Sequence, residues 1–85
     1  MNILVTGAAG FIGFHTSLKL IENNHKIFGI DSLNNYYSVK IKKDRLKLLN
    51  KLGTKKFIFL KNDLMNEKII FNFLKKNKIT IIIHL

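Results

Sequence analysis

The sequence predicts an α/β fold: the amino-terminal part of a doubly wound parallel sheet, with four strands in the order 3-2-1-4 and three helices. Three observations carry that prediction. Short apolar runs alternate with amphipathic stretches along the whole chain, the pattern of strand–helix–strand units with parallel strands. A glycine-rich turn, Gly7-Ala8-Ala9-Gly10-Phe11-Ile12-Gly13, separates the first apolar run from the first helical stretch. The last run is nearly continuous in isoleucine, as expected of a strand whose two faces are both covered. Right-handed crossovers then set the spatial order of the strands.

Asn2 to Thr6 reads as the first strand. Phe11, Phe14, Leu18 and Ile21 recur at helical spacing and mark the first helix. Asn23-Asn24 stops it, because asparagine tolerates the left-handed conformation. Lys26 to Ile30 is the second strand, ending at Asp31, and Ser32 to Ser38 is a polar, asparagine-rich loop. A basic second helix runs from Val39 to Leu52, with Leu46, Leu49 and Leu52 on one side and Gly53 as the residue just past its end. Phe57 to Leu60 is the third strand. Asn66 caps a third helix whose Ile70, Phe73 and Leu74 face inward, and Thr80 to His84 is the fourth strand.

With 85 residues the chain makes one domain or less. A domain of this size buries only roughly 60–65% of its unfolded surface. A hydrophobic content of 47% argues against disorder. The lack of cysteine rules out a disulfide framework and a thiolate metal site, and it fits a cytoplasmic protein. The first strand starts within three residues of Met1, which leaves no room for a secretory signal, and the longest apolar stretch, Ile79 to Leu85, is too short to span a bilayer.

The net charge of +10 raises nucleic acid as a partner. Arg45, however, is the only arginine among 15 basic residues, and arginine is the side chain suited to bidentate phosphate and guanine contacts. A solvated cationic face is the expectation instead. The abundance of lysine, asparagine and isoleucine is what AT-rich codons encode.

The glycines carry the chemistry. A strand ending in a glycine turn that becomes a helix N-terminus is a seat for a pyrophosphate, because backbone amides converge there and the helix dipole favours negative charge. The spacing of three between Gly7, Gly10 and Gly13 departs from the commoner dinucleotide fingerprint, but the physical roles map. Gly7 allows the sharp turn out of the strand, Gly10 clears the approach of backbone to phosphate, and Gly13 lets the helix pack closely on the sheet. Asp31 lies eighteen residues beyond Gly13, near the spacing at which an acid accepts from an adenosine ribose. Its carboxylate repels a 2′-phosphate and no arginine follows in Ser32-Leu33-Asn34-Asn35, so the cofactor expected is NAD rather than NADP.

Other residues point less sharply. Asp63-Leu64 follows the third strand, where Asp63 either accepts from the adenine amino group with Leu64 flanking the ring, or simply begins a turn. His15, His25 and His84 pair with no acid or second histidine at metal-ligand spacing and read as structural; no metal is expected. Tyr36 and Lys40 have a Tyr-x-x-x-Lys spacing, but they follow the second strand, at the adenosine end, away from any nicotinamide. Their spacing is therefore read as coincidence.

Thr6-Gly7-Ala8-Ala9-Gly10-Phe11-Ile12-Gly13 resembles the signature of the extended short-chain dehydrogenase/reductases, the NAD-dependent nucleotide-sugar epimerases and dehydratases with a Rossmann-type sheet. Gly29-Ile30-Asp31, Asn62-Asp63-Leu64 and Ile83-His84-Leu85 extend the similarity along the chain. Leu33-Asn34-Asn35-Tyr36-Tyr37 with Lys43-Asp44-Arg45-Leu46 looks most like UDP-glucuronate 4-epimerases.

The resemblance implies that Phe11 and Ile12 offer amides to the pyrophosphate, and that Asp31 holds the ribose with Ser32, Leu33, Asn34, Asn35 and Tyr36 wrapping that end. It also implies that Asp63 and Leu64 bracket the adenine, and that Leu85 begins the next cofactor loop, where the family usually has Ala-Ala or Ala-Gly. In such enzymes NAD removes a hydride from C4 of the sugar and returns it to the opposite face, helped by a Ser/Thr and a later Tyr-x-x-x-Lys.

The expectation is therefore a partial NAD-binding domain over residues 1–85, with no catalytic residue and inactive alone, the sugar-nucleotide portion lying beyond it. The alternatives are a stand-alone dinucleotide-binding or interaction module, self-associating through an exposed fourth strand, and a basic nucleic-acid-binding protein.

Overall fold

Strand β1 (Asn2–Thr6) leads into helix α1 (Phe11–Glu22), and β2 (Lys26–Asp31) into α2 (Val39–Gly53). A single 3-10 turn (Thr54–Lys56) precedes β3 (Phe57–Lys61), followed by α3 (Glu67–Lys76) and β4 (Ile81–Ile83). The computed structural model describes residues 1–33, 38–62 and 66–85. The four strands form one sheet in the order β3-β2-β1-β4, every pair parallel, as the sequence predicts. Ile3 lies opposite Ile27 on one side and Ile81 on the other, and Val5 opposite Gly29 and Ile83.

Strand alternation divides the core into two layers, because successive side chains point to opposite faces of a sheet. Ile3, Val5, Ile27 and Phe57 gather with Phe14 and Ile21 of α1 and with Leu46 and Leu49 of α2. Leu4, Phe28 and Ile30 point the other way, against Ile70, Phe73 and Leu74 of α3, the inward face expected of that helix. The rings of Phe28 and Phe73 meet edge-on, with centroids 6.0 Å apart. Two helices thus cover one face and one the other, which is double winding.

Local signals set the helix ends. Asn24 takes a left-handed φ of 67° just past α1, and the Ser38 and Asn66 side chains cap α2 and α3 by accepting from Ile41 and Ile69 amides. Four expectations change. Gly53 is the last helical residue of α2, with φ −79°, and Thr54 takes the left-handed φ of 46° instead. What Gly53 provides is proximity: a Cβ there would sit 2.8 Å from Phe57 Cβ. Leu52 is 52% exposed, because the buried stripe of α2 runs through Lys42, Leu46, Leu49 and Gly53 and leaves Leu52 off its side. Phe11, read as part of the apolar face of α1, is also exposed, because it stands at the helix start, above the glycine turn.

Strand β4 is shorter than the Thr80–His84 run, and its Ile81 and Ile82 are exposed rather than covered. Among the described residues β4 is an edge strand that pairs with β1 alone. No helix among them is long and apolar enough to cross a membrane.

Candidate functional site

The site forms where β1 gives way to α1. Gly7 leaves the strand with φ +67°, a region L side chains rarely adopt, so the chain turns sharply there. Its amide and that of Ala8 both donate to the Ile30 carbonyl, at 2.8 and 3.2 Å, which ties the turn to the end of β2. Gly10 then donates to the Gly7 carbonyl at 3.0 Å and stands at the N-cap of α1. No side chain caps that helix and its first turn holds no acid. The first intrahelical bond is from the Phe14 amide to the Gly10 carbonyl at 2.8 Å. The amides of Phe11, Ile12 and Gly13 precede it, so helix geometry gives them no acceptor of their own.

Gly13 makes this arrangement possible. A Cβ at that position would lie 2.0 Å from the Gly7 carbonyl oxygen and 2.7 Å from its carbon. Helix and turn are in backbone contact there, so the close approach at Gly13 is to the turn that leaves β1.

Above the turn opens a cleft of about 520 Å³. It brings together Gly7, Gly10, Phe11, Ile12, Gly13, Asp31, Ser32 and Leu85 of the residues singled out from sequence. Leu33 does not line it: its side chain packs on the α1–α2 side of the core while its amide donates to Asp31 Oδ1 at 2.8 Å. Asn34, Asn35, Tyr36, Asp63 and Leu64 lie outside the described residues. Leu85 is held by its amide, which donates to the buried Thr6 hydroxyl at 2.9 Å, and the same hydroxyl lies 2.9 Å from His84 Nδ1. His84 therefore anchors the end of β4 to the end of β1.

Asp31 is only 7% exposed yet lines the cleft. Its Oδ2 accepts from the Ala9 amide at 3.0 Å and its Oδ1 from Leu33, so both turn and loop orient the carboxylate. Each oxygen keeps a second lone pair for another donor.

Sequence reasoning missed two cations on α2. Lys42 reaches its ammonium to 3.7 Å from Asp31 Oδ1, and both side chains are 6% exposed. Arg45 donates through Nη1 to the Ala9 carbonyl at 3.0 Å and sets its guanidinium 5.9 Å from the Phe11 ring centroid. A signal for Lys42 existed: it precedes Leu46 by four positions, on the helix's apolar stripe. The expected cationic face holds for Lys40, whose exposed ammonium pairs with Asp44 at 2.9 Å, and fails for Lys42. Ile30 and Asn62 also line the cleft. The His15 ring stacks edge-on against Phe11 and Phe14. No cluster among the described residues could hold a metal ion.

The parallel sheet, its strand order and the glycine turn feeding α1 define a Rossmann-type α/β fold. The family is narrower: the model of the NAD dependent epimerase/dehydratase family matches residues 3–85, and the chain belongs to that family. It is 52% identical over 66 residues to Protein CapI of Staphylococcus aureus, covering 78% of this chain and 19% of that protein. It is 34% identical over 85 residues to UDP-glucuronate 4-epimerase 1 of Arabidopsis thaliana, covering 100% of this chain and 19% of the other. Among solved structures, UDP-glucuronic acid 4-epimerase from Bacillus cereus, in complex with UDP-glucuronic acid and NAD, matches with a TM-score of 0.85 at 33% identity. That match covers 100% of this chain and 26% of the other. The chain spans between 19% and 26% of the length of the curated relatives it matches first.

Proposed function

We propose that this chain binds NAD in the cleft above the glycine turn, as the amino-terminal portion of a nucleotide-sugar epimerase resembling UDP-glucuronate 4-epimerases. One observation carries the reading: the uncapped first turn of α1 and the carboxylate of Asp31 face the same cleft. An anion fits the first, through the amides of Phe11 and Ile12 and the helix dipole. A vicinal diol fits the second, since Asp31 is held by two amides and retains lone pairs for ribose hydroxyls. Gly10 has φ −72° and ψ 170°, a conformation open to any residue. Its missing side chain is thus explained by the cleft it lines rather than by its backbone.

In this reading Ser32, Asn34, Asn35 and Tyr36 wrap the adenosine, Asp63 and Leu64 bracket the adenine, and Leu85 opens the next cofactor loop. Bound NAD supplies the hydride acceptor and donor for epimerisation at C4 of a nucleotide sugar. The 85 residues bind and orient that cofactor and are inactive alone; the catalytic and sugar-nucleotide portion belongs to chain beyond them. A cytoplasmic setting accords with a sequence free of cysteine.

Calorimetric titration of the chain with NAD tests this directly, with Asp31→Ala beside it and circular dichroism to show that both are folded. The substitution is expected to weaken binding by about tenfold or more, the loss of a charge-assisted hydrogen bond. Folded protein that ignores NAD, or binds it equally well without Asp31, would refute the assignment.

A further inference from the structure

We propose that the groove between α1 and α2 is a docking surface for an acidic amphipathic helix of a partner protein. The proposal is independent of the NAD reading, because none of the α2 residues it uses lines the cleft. Helix α2 carries two apolar stripes. One runs through Leu46, Leu49 and Gly53 and is buried. The other is Ile41, Leu48 and Leu52, which are 47%, 41% and 52% exposed and join neither core layer among the described residues. Its members stand seven and then four positions apart, a spacing that keeps side chains on one face of a helix. Helix α1 bounds that stripe. Near the helix starts, the Arg45 guanidinium lies 5.9 Å from the exposed Phe11 ring. Near the helix ends, Leu52 of α2 and Leu18, Ile21 and Glu22 of α1 line a hollow of about 300 Å³. The helices close beneath it, where a Cβ on Gly53 would lie 3.2 Å from Ile21 Cδ1.

Charge selects the occupant. Lys40, Lys47 and Lys51 each stand one position before a member of the exposed stripe, so about 100° round the helix from it, and form its outer rim. Lys40 pairs with Asp44 at 2.9 Å, but Lys47 and Lys51 make no ion pair among the described residues. On the far side Lys19 is exposed on α1, and Lys56 lines the hollow with its ammonium 2.7 Å from Asn24 Oδ1. Glu22 is the one acid among the residues lining that hollow. An apolar floor between cationic walls fits a helix with leucines along one side and carboxylates beside them. A bilayer surface is too flat to enter a hollow between two helices. A second copy would set cationic rim against cationic rim, in a chain of net charge +10.

The test titrates the chain with a synthetic helical peptide that has leucines at every third and fourth position flanked by glutamates, beside the same peptide flanked by lysines. The glutamate peptide should bind about tenfold tighter or more, less so in high salt, and should shift amide resonances of α1 and α2. Leu48→Ser with Leu52→Ser should weaken it by about tenfold or more, with circular dichroism showing that the variant is folded. Lys47→Glu with Lys51→Glu should abolish the preference for glutamate, and this variant decides alone if the serine variant fails to fold. It keeps a strong net positive charge, so non-specific attraction would leave the preference as it was, and that result overturns the proposal. Equal binding of the two peptides, shifts confined to the cleft or to β4, or no binding at about 1 mM peptide overturns it too. Binding to phosphatidylglycerol vesicles in place of the peptide, or self-association in sedimentation that the serine variant abolishes, gives this face to a lipid surface or to a second copy and likewise overturns the proposal.

Discussion

Replacing Gly13 with alanine puts the contact between α1 and the turn under direct strain. The added methyl would lie 2.0 Å from the Gly7 carbonyl oxygen, 2.7 Å from its carbon and 3.1 Å from Ala8 Cα. All three are backbone atoms, so no side chain can swing aside. Helix and turn must separate, and the turn is pinned by the two amides that donate to Ile30. Overpacking a core costs about 1–3 kcal/mol, and a backbone obstacle puts this case at about 3 kcal/mol or above.

A domain of this length holds roughly 4–13 kcal/mol in all. The loss should therefore lower the thermal midpoint by about 12 °C or more, at about 4–8 °C per kcal/mol for a domain of this size. Far-ultraviolet circular dichroism during heating measures it. A midpoint within about 3 °C of wild type would show that the helix does not rest on the turn as described, since a shift so small corresponds to under about 1 kcal/mol.

Two further substitutions probe how the site is held. Thr6→Val removes the hydroxyl that accepts from the Leu85 amide and meets His84. The cost should be about 1–3 kcal/mol for two hydrogen bonds, read as a lower urea midpoint, with faster hydrogen exchange at Leu85; unchanged exchange would mean that β4 is held by other contacts. Leu49→Ala, at a side chain with 0% exposure, should cost about 2–5 kcal/mol. Leu52→Ala, three residues on and 52% exposed, should cost under about 0.5 kcal/mol, and equal losses from the two would contradict the stripe described for α2.

Most of the architecture was legible because each of its signals is local. The alternation through Ile3, Leu4 and Val5 assigns side chains to the two sheet faces without reference to anything distant. Asn24 and Asn66 act within a few residues of themselves, and both hold as helix-end residues; the Ser38 cap is found only in the structure. Two of the corrected positions share a cause: an apolar residue at roughly helical spacing is not always a buried one. Phe11 and Leu52 continue their helices' apolar spacing but stay exposed, Phe11 at the start of α1 above the glycine turn and Leu52 off the buried stripe of α2. Ile81 and Ile82 of β4 pair with β1 and yet stay exposed, because hydrogen bonding to β1 does not supply a layer over them.

The site divides in the same way. Sequence alone determined that a strand, a glycine turn and a helix follow one another, and that an acid ends the second strand. Backbone conformation and parallel crossover rules act over short stretches, and they bring those pieces to one edge of the sheet. Tertiary structure decided what surrounds the acid. Only the packing of α2 on the core, through Leu46 and Leu49, carries Lys42 to Asp31 and Arg45 to Ala9. Groups 11 and 36 residues apart in the chain become neighbours through that packing, since the distance between two elements depends on every side chain that separates them.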